Sequence, residues 1–479
     1  MDIITLKKRL LVTLYALLAS IPALLFGYYL GAICATAYAP KEVKRSPWKY
    51  AGELEINWMI FVEFAAVLCG VVQLQDVFQN GGPLVSISST GLLFIFFVPL
   101  LWIFLANYSP DDNVLGGFPG LLFLGFAGAS TLINLIIYIS EISPSTIRGA
   151  LVSTVFLQIA GGQIVYHLLN LLTSSTTQEI QTWRWMLPIV LSVIHVTVAV
   201  GVLPESPRWL CRKGQIQQAE ESLKMIRSSS EVSKEVKAME LSLVEEYKVP
   251  SKRIIVGFGS IAAQQLVGIN MIMHYSYTIL RLTTNRYSSS KTENGNADNM
   301  DMLAASEIPL ITSSLVLVGT LLCTTLVDRF GRRRLLLVSI CGIISALGKS
   351  VGSILLPFPN TNAGKENLAF WYDIGEERAS GMGLLALMAL AMYIIFYSLG
   401  IGTIPWIINS EIYPLKYRSV CLVFANMVYW CSKITVQDFL FDSLGCYLSV
   451  AEMLSTLFVF SSSGPFHLFL HSRDQRVAT

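Results

Sequence analysis

Side-chain amides inside an apolar run are the first residues in this 479-residue chain that could do chemistry. Gln264 and Gln265 stand side by side in the apolar run 254–280, and Asn270 follows in the same run. An amide both donates and accepts hydrogen bonds. Because polar groups are costly at membrane depth, these amides favour a ligand-binding role. The alternative is a hydrogen bond between neighbouring helices.

A charged motif, Glu-Ile-x-Pro-x-x-x-Arg, occurs twice. It reads EISPSTIR from Glu141 to Arg148 and EIYPLKYR from Glu411 to Arg418. Each copy begins where a long apolar run stops, and its proline ends the helix because proline has no backbone N–H. Glutamate and arginine at such a boundary are available for ion pairs that exist in only one conformation. The alternative is that the motif only ends a helix and that its charges lie at the membrane surface.

The composition is that of a membrane protein. Hydrophobic residues make up 53% of the chain and charged residues 14%, with a mean hydropathy of +0.57, whereas soluble proteins carry roughly 25% charged residues. The net charge of +2 is uninformative about partners, and no basic tract suggests a nucleic-acid partner. The scattered cysteines, histidines and carboxylates form no metal or nucleophile–base pattern. We therefore expect no metal, no cofactor and no enzymatic activity.

A helix needs about 20 predominantly apolar residues to cross a membrane. Twelve runs are candidates: 9–33, 56–75, 84–106, 115–140, 150–172, 185–203, 254–280, 308–327, 335–357, 382–408, 420–441 and 446–470. The sequence thus predicts an all-α membrane protein with twelve transmembrane helices. The two motif copies follow the fourth and tenth runs, which indicates two six-helix halves related in parallel, 1–203 and 254–479.

The positions of lysine and arginine beside these runs predict the orientation. Three basic residues at 7–9 precede the first run and place the N-terminus in the cytoplasm, and with twelve helices the C-terminus lies there too. Both motif copies fall on the cytoplasmic side. The segment 204–253 is highly charged with helix-like spacing, so we predict a cytoplasmic helical bridge. Four basic residues between 41 and 49 oppose this orientation but are outnumbered.

Several motifs resemble the sugar-porter branch of the major facilitator superfamily. They are PESPRWL (204–210), QQLVGIN (264–270), DRFGRRRLLL (328–337) and GTIPWIINSEIYPLKYRS (402–419). IRGALVSTVFLQIAGGQ (147–163) and TWRWMLP (182–188) are most similar to plant-type inositol transporters. The resemblance implies the major facilitator fold and a monomeric carrier in the lipid bilayer of the plasma membrane. Its expected substrate is a polyol or hexose, with myo-inositol favoured, moved by alternating access.

The resemblance also implies roles for individual residues. Substrate binding falls to Gln163, Gln264, Gln265, Asn270 and Trp406, whose indole would add an apolar face and a donor. A cytoplasmic gate of charged residues would comprise Glu141, Arg148, Glu205, Arg208, Asp328, Arg329, Arg332, Glu411 and Arg418.

Departures from the family pattern fall on residues to which the resemblance assigns functional roles. The family's LFGYDTG reads LFGYYLG here, so Tyr29 replaces the expected proton-carrying aspartate. Both proton symport and facilitated diffusion therefore stay open. The segment DVFQNGG at 76–82, which Glu141 is expected to face, lacks the arginines of the family's D-R-x-G-R-R.

Three expected asparagines are replaced by Val316, Tyr429 and Lys433. A lone charge at membrane depth is costly, so we predict an intramembrane pair between Glu63 and Lys433. The alternative is a lysine that reaches the membrane surface and a protonated glutamate. These departures motivate a second function, a substrate-binding sensor or a transport-inactive divergent paralogue.

Overall fold

The computed structural model describes residues 3–37, 118–173, 190, 192–195, 197, 201–227, 229–244, 251–269, 297–355, 376–414 and 417–436, and their regular secondary structure is helical. The first helix group comprises α1 (Ile3–Ala19), α2 (Ile21–Ala37), α3 (Phe118–Ile142) and α4 (Arg148–Thr173). The connecting helices are α5 (Pro207–Arg212), α6 (Ile216–Ile226) and α7 (Ser229–Val244). The second helix group comprises α8 (Ser251–Leu266), α9 (Ala297–Phe330), α10 (Arg332–Leu355), α11 (Glu376–Leu399), α12 (Ile404–Ile412) and α13 (Arg418–Ile434).

Within the described residues, five helical segments are long and apolar enough to cross a membrane. They are Lys7–Ala32, Gly125–Ile142, Arg148–Leu172, Pro309–Phe330 and Met388–Ile412. Large apolar side chains are exposed along them, including Leu10 at 72%, Leu172 at 61% and Leu321 at 50%, as expected for surfaces in contact with lipid.

The count of twelve spans stays a prediction. The runs 56–75, 84–106 and 446–470 lie outside the described residues, and only a few positions of 185–203 are described. The runs predicted at 254–280, 335–357 and 420–441 correspond to α8, α10 and α13 as far as the chain is described.

The first predicted run, 9–33, corresponds to the candidate span Lys7–Ala32, within which α1 and α2 meet at Ser20. Pro22 is the second residue of α2 and has no N–H to donate to the carbonyl of Leu18. The Ser20 hydroxyl donates to the Leu17 carbonyl at 3.0 Å, and the Ser20 carbonyl accepts from the Ala23 N–H at 2.9 Å. These bonds satisfy backbone groups at the break.

Two further predicted runs contain an interruption of the helix. In the run 254–280, α8 ends at Leu266, and Gly268 has a φ of 77°, a left-handed conformation that glycine adopts without steric cost. In the run 382–408, α11 ends at Leu399 and α12 begins at Ile404, with Pro405 in its first turn. Both interruptions, 267–268 and 400–403, lie in the second helix group.

The connecting helices dock against one end of the first helix group. The Lys8 ammonium of α1 donates to the carbonyls of Lys224 and Met225 at the end of α6, at 2.9 and 2.8 Å. The Arg227 guanidinium donates to the Ile142 carbonyl at 3.1 Å and pairs with Glu235 at 3.0 Å. Because a cation near a helix C-terminus is favourable, these contacts hold α6 and α7 against the ends of α1 and α3.

A close crossing of glycines joins α2 and α4. A Cβ atom on Gly27 would overlap the backbone carbonyl of Ile159, and one on Gly162 would overlap the carbonyl of Leu24. Small residues let transmembrane helices approach this closely. By contrast, a Cβ on the neighbouring Gly161 would have no atom within 4 Å.

This contrast predicts opposite effects of two adjacent substitutions. Gly162→Ala should destabilise the protein by about 1–3 kcal/mol because α2 and α4 must separate. Gly161→Ala should be neutral or stabilise by up to about 1 kcal/mol, since alanine favours a helix over glycine. Thermal unfolding of the purified protein in detergent measures both, and equal melting temperatures for the two variants would contradict the close crossing.

Candidate functional site

The two interruptions of the second helix group meet each other. The Gln264 amide nitrogen, in the last turn of α8, donates to the Gly402 carbonyl between α11 and α12 at 2.8 Å. In the opposite direction, the Tyr393 hydroxyl of α11 donates to the Val267 carbonyl beyond α8 at 2.9 Å. A side chain from each helix thus bonds the open backbone of the other.

Amide atoms without partners lie beside these interruptions. The Gln264 side chain is 3% exposed, and its oxygen has no hydrogen-bond partner among the described residues. The adjacent Gln265 is also buried. On α13, which packs against α8, the Asn426 oxygen accepts from the Trp430 indole at 3.1 Å, while the buried Asn426 nitrogen has no partner in the part of the chain that the structure describes. A buried polar atom with no partner is costly, so these atoms are available to a ligand.

An aromatic cluster lies next to the amides. Trp406, in the first turn of α12, is 1% exposed, and its ring centroid lies 5.3 Å from that of Tyr429 on α13. Phe156 of α4 lies 6.3 Å from the same indole, so this cluster joins the two helix groups. Of the other predicted ligands, Gln163 is half-buried on α4, and its backbone packs 3.3 Å from where a Cβ on Gly31 would lie. Asn270 lies outside the described residues.

The predicted intramembrane pair cannot be placed in full, since Glu63 lies outside the described residues. The Lys433 ammonium lies 5.1 Å from the centre of the Trp430 ring, a cation–π contact.

Tyr29 is buried on α2, with its ring centroid 6.0 Å from that of Tyr28. Tyr28 in turn packs edge-on against Tyr166 of α4 at 5.2 Å.

Charged residues join the helix groups at one end, which we call the charged end. The Arg332 guanidinium pairs with Asp328 at 2.9 Å and with Glu411 at 2.8 Å. Asp328 also accepts from the backbone N–H of Ala150 in the first turn of α4 at 2.8 Å. A Cβ on Gly149 would lie 2.6 Å from an Asp328 oxygen, so the Asp328 side chain would have to shift to make room for it.

Other predicted gate residues have different partners. The Glu141 carboxylate, 3% exposed, accepts a short hydrogen bond from the Ser206 hydroxyl. A carboxylate oxygen of Glu205 accepts from the Ser206 N–H at 3.1 Å. Arg329 is exposed and makes no ion pair with the described residues. The segment 76–82, which Glu141 is expected to face, lies outside the described residues.

The two copies of Glu-Ile-x-Pro-x-x-x-Arg are related crosswise. The electrostatic neighbours of Arg418, in the second copy, include Glu141 of the first copy. Those of Arg148, in the first copy, include Glu411 of the second. Each glutamate therefore acts on the arginine of the other copy, across the boundary between the helix groups.

Arg208 of α5 lies in the same charged region. Burial lowers the pKa of its guanidinium, and the charges of Glu141 and Glu235 oppose that shift. Arg208 in turn acts electrostatically on both Arg148 and Arg418. The charged end therefore concentrates guanidinium groups from α4, α5 and α13.

Sequence reasoning missed Gly149, Phe156, Tyr393 and Asn426. Tyr393 and Asn426 are polar residues in apolar runs, the signal that singled out Gln264, and the same criterion would have found them. Gly149 follows Arg148 directly, but nothing local reveals that its missing side chain admits Asp328, 179 positions later.

Comparisons with known proteins agree with this architecture. The family model described as sugar (and other) transporter matches residues 15–461. The probable inositol transporter 2 of Arabidopsis thaliana is 31% identical, over 92% of this chain and 84% of the relative. The human proton myo-inositol cotransporter is 28% identical, over 66% of this chain and 59% of the relative.

Solved structures show the same fold. The xylose transporter XylE from E. coli, in a partially occluded inward-open conformation, matches with a TM-score of 0.67 and 22% identity over 94% of this chain and 97% of that one. The proton:xylose symporter XylE bound to 6-bromo-6-deoxy-D-glucose, a major facilitator superfamily protein, also gives 0.67 at 22% identity, over 94% and 95%. The chain belongs to the sugar transporter family and has the fold of the major facilitator superfamily.

Proposed function

We propose that this protein carries a polyol or monosaccharide, with myo-inositol the favoured substrate, across a membrane by alternating access. The observation that carries the proposal is the meeting of two helix interruptions at a buried amide whose oxygen has no partner within the described ranges. In transporters of this kind, interrupted helices near the middle of the bilayer form the substrate site.

The chemistry of the site suits a neutral polyhydroxylated ligand. Each substrate hydroxyl both donates and accepts, so it complements the free oxygen of Gln264 and the free nitrogen of Asn426. The indole of Trp406 offers an apolar face to the C–H side of a ring. We assign substrate contacts to Gln163, Gln264, Gln265, Asn270 and Trp406. The relatives named as inositol transporters support myo-inositol within this class.

We assign the gate to the charged end, which we place on the cytoplasmic side of the plasma membrane. Exposed ion pairs are worth about 0–1 kcal/mol each. Pairs of that strength bias an equilibrium between closed and open states without locking it, as alternating access requires. The members are Glu141, Arg148, Glu205, Arg208, Asp328, Arg329, Arg332, Glu411 and Arg418.

Proton coupling is the second part of the proposal. A relative is named as a proton myo-inositol cotransporter, which supports symport. Tyr29 stands where the family has a carboxylate and is buried among other tyrosines. Since a tyrosine stays protonated far above neutral pH, it would not carry the coupled proton. A symporter built on this chain must therefore use another group, and Glu63 is our candidate.

Uptake into proteoliposomes tests the function. The purified protein is reconstituted and offered radiolabelled myo-inositol or glucose, with and without an inward proton gradient. Saturable uptake of either supports a carrier, and dependence on the gradient supports symport. Binding without uptake would instead favour a substrate-binding sensor. The absence of both binding and uptake would overturn the proposal.

Substitution at Gln264 distinguishes a residue that contacts the substrate from one that only holds two helices together. Gln264→Ala removes both the bond to Gly402 and the free oxygen, whereas Tyr393→Phe removes only the other bond between the interruptions. We expect Gln264→Ala to weaken substrate binding about tenfold or more and Tyr393→Phe to leave it nearly unchanged. The measurement is the rise in melting temperature produced by saturating myo-inositol. Equal losses in both variants would mean that Gln264 only holds the helices together.

Substitution at Arg332 tests the gate. Arg332→Gln removes both half-buried ion pairs and should favour the open state by about 1–2 kcal/mol, roughly a 5- to 30-fold change in the population ratio. Hydrogen exchange of the Ala150 N–H, which donates to Asp328, should then become faster by a similar factor. The exposed Arg333→Gln, outside the proposed gate, is the matched control and should leave this exchange unchanged. Faster exchange in both variants would exclude a specific role for Arg332.

A further inference from the structure

The buried histidine of α4, His167, belongs neither to the proposed substrate contacts nor to the gate. It is 2% exposed, although it lies in the apolar span Arg148–Leu172. Its imidazole packs edge-on against the ring of the preceding Tyr166, with 5.6 Å between the ring centroids. No hydrogen bond joins either ring nitrogen to another described residue. A buried polar group without a partner is destabilising, so this imidazole is available to a ligand.

The imidazole points away from the lipid-facing side of α4. Leu168 and Leu172 mark that side, since they are 45% and 61% exposed. Gly161 lies there too, because a Cβ atom on it would have no atom within 4 Å. Successive residues of an α-helix are rotated by about 100°, so His167 lies about 100–140° around the axis from each of these residues. Its side chain is therefore directed into the protein.

The same inner face of α4 carries residues of the proposed substrate site. Phe156, whose ring lies 6.3 Å from the Trp406 indole, precedes His167 by eleven positions, which is only about 20° around the axis. Gln163, a proposed substrate contact, precedes His167 by four positions. Side chains at this spacing are neighbours, with their Cβ atoms about 5–6 Å apart. A ligand that contacts Gln163 is therefore within reach of the imidazole.

Close packing against α2 fixes this part of α4. The ring of Tyr28 on α2 packs edge-on against Tyr166 at 5.2 Å, and both rings are buried. A Cβ atom on Gly31 would lie 3.1 Å from the Cβ of Tyr166. The ring against which His167 packs is thus held in place by a neighbouring helix. A hydrogen-bonding group that is already fixed loses little conformational entropy when it binds a ligand, which favours affinity.

We propose that His167 is a further substrate contact, which binds a hydroxyl of the same polyol that Gln163 contacts. An uncharged imidazole has one N–H donor and one acceptor nitrogen, so it complements a hydroxyl, which both donates and accepts. The contact extends the substrate site by about one helix turn along α4, away from the charged end. This inference rests on the proposed function, because it assigns a residue to the same substrate.

The contact makes His167 a determinant of specificity. A site that hydrogen-bonds a substrate hydroxyl discriminates against an analogue that lacks it, because the buried polar group of the protein is then left without a partner. The wild-type protein should therefore bind one monodeoxy-inositol, the one that lacks this hydroxyl, about tenfold more weakly than myo-inositol through this contact.

Binding of deoxy analogues tests the contact on the full-length protein in nanodiscs. Calorimetry measures the affinity for myo-inositol and for analogues that each lack one hydroxyl, in the wild type, His167→Phe and His167→Gln. We expect His167→Phe, which keeps an aromatic ring without nitrogen atoms, to weaken myo-inositol binding about tenfold. It should leave the affinity for the one analogue that lacks the bonded hydroxyl nearly unchanged. His167→Gln should retain more of the affinity, since an amide also donates and accepts.

The matched control is Leu168→Ala at the adjacent lipid-facing position, which should leave every affinity unchanged. A purely structural role of His167 predicts a different pattern, in which His167→Phe weakens the binding of myo-inositol and of all analogues by the same factor. That pattern would overturn the proposal. So would an unchanged affinity for myo-inositol in folded His167→Phe.

NMR of wild-type protein labelled at the histidine ring nitrogens gives a second measurement that does not depend on the folding of His167→Phe. The signals of His167, assigned by their loss in His167→Gln, should shift when myo-inositol is added and shift less with the analogue that lacks the bonded hydroxyl. Unchanged signals in a wild-type protein that binds myo-inositol would overturn the contact and leave the transport function standing. If the folded wild-type protein binds no polyol, both the contact and the transport function fall.

Discussion

Backbone groups inside a bilayer must be hydrogen-bonded to protein, because lipid offers them no partner. This constraint governs the two interruptions of the second helix group. The backbone carbonyls of Val267 and Gly402 accept hydrogen bonds from the side chains of Tyr393 and Gln264. On the far side of the second interruption, the Ser339 hydroxyl accepts from the Ile401 N–H at 3.1 Å and donates to the Phe396 carbonyl at 2.7 Å. Side chains of neighbouring helices thus replace the bonds that a continuous helix would make, and each interruption is fixed by its neighbours.

The repeated Glu-Ile-x-Pro-x-x-x-Arg motif gains its meaning from its crosswise arrangement. If each glutamate acted only on its own arginine, either copy could hold its helix boundary without the other. Glu411 acts on its own Arg418 and also on Arg148, and Glu141 acts on Arg418, so the interactions between copies exist only while the helix groups are together at this end. The Ser153 hydroxyl extends the same boundary by donating to the Thr324 hydroxyl at 2.9 Å. Two copies are needed for the motif to work as a contact between groups.

Hydropathy alone predicted the helices well but did not predict where they break. An apolar window averages over Ser20, Gly268 and the segment 400–403, whereas the breaks depend on one missing N–H or one positive φ. The amides of Gln264 and Gln265 stood out because polar groups are rare in such runs. The roles of Gly149 and Tyr393 depend on partners far away in the sequence, so only the folded structure reveals them.

Helix α12 links the proposed substrate site to the charged end. Gly402, which accepts from Gln264, precedes this nine-residue helix, and Glu411, which pairs with Arg332, lies in its last turn. The two positions are about 14 Å apart along the helix axis, since each residue of a helix rises by about 1.5 Å. The Asn409 amide ties α12 to α8 by donating to the Gly257 carbonyl at 3.0 Å, and Tyr413 occupies the space that a side chain on residue 257 would fill. Helix α8 therefore holds α12 at both of its ends, through Gln264 and through Asn409. The contact of Gln264 with Gly402 and the ion pair of Glu411 with Arg332 therefore lie at the two ends of one helix that α8 holds in place.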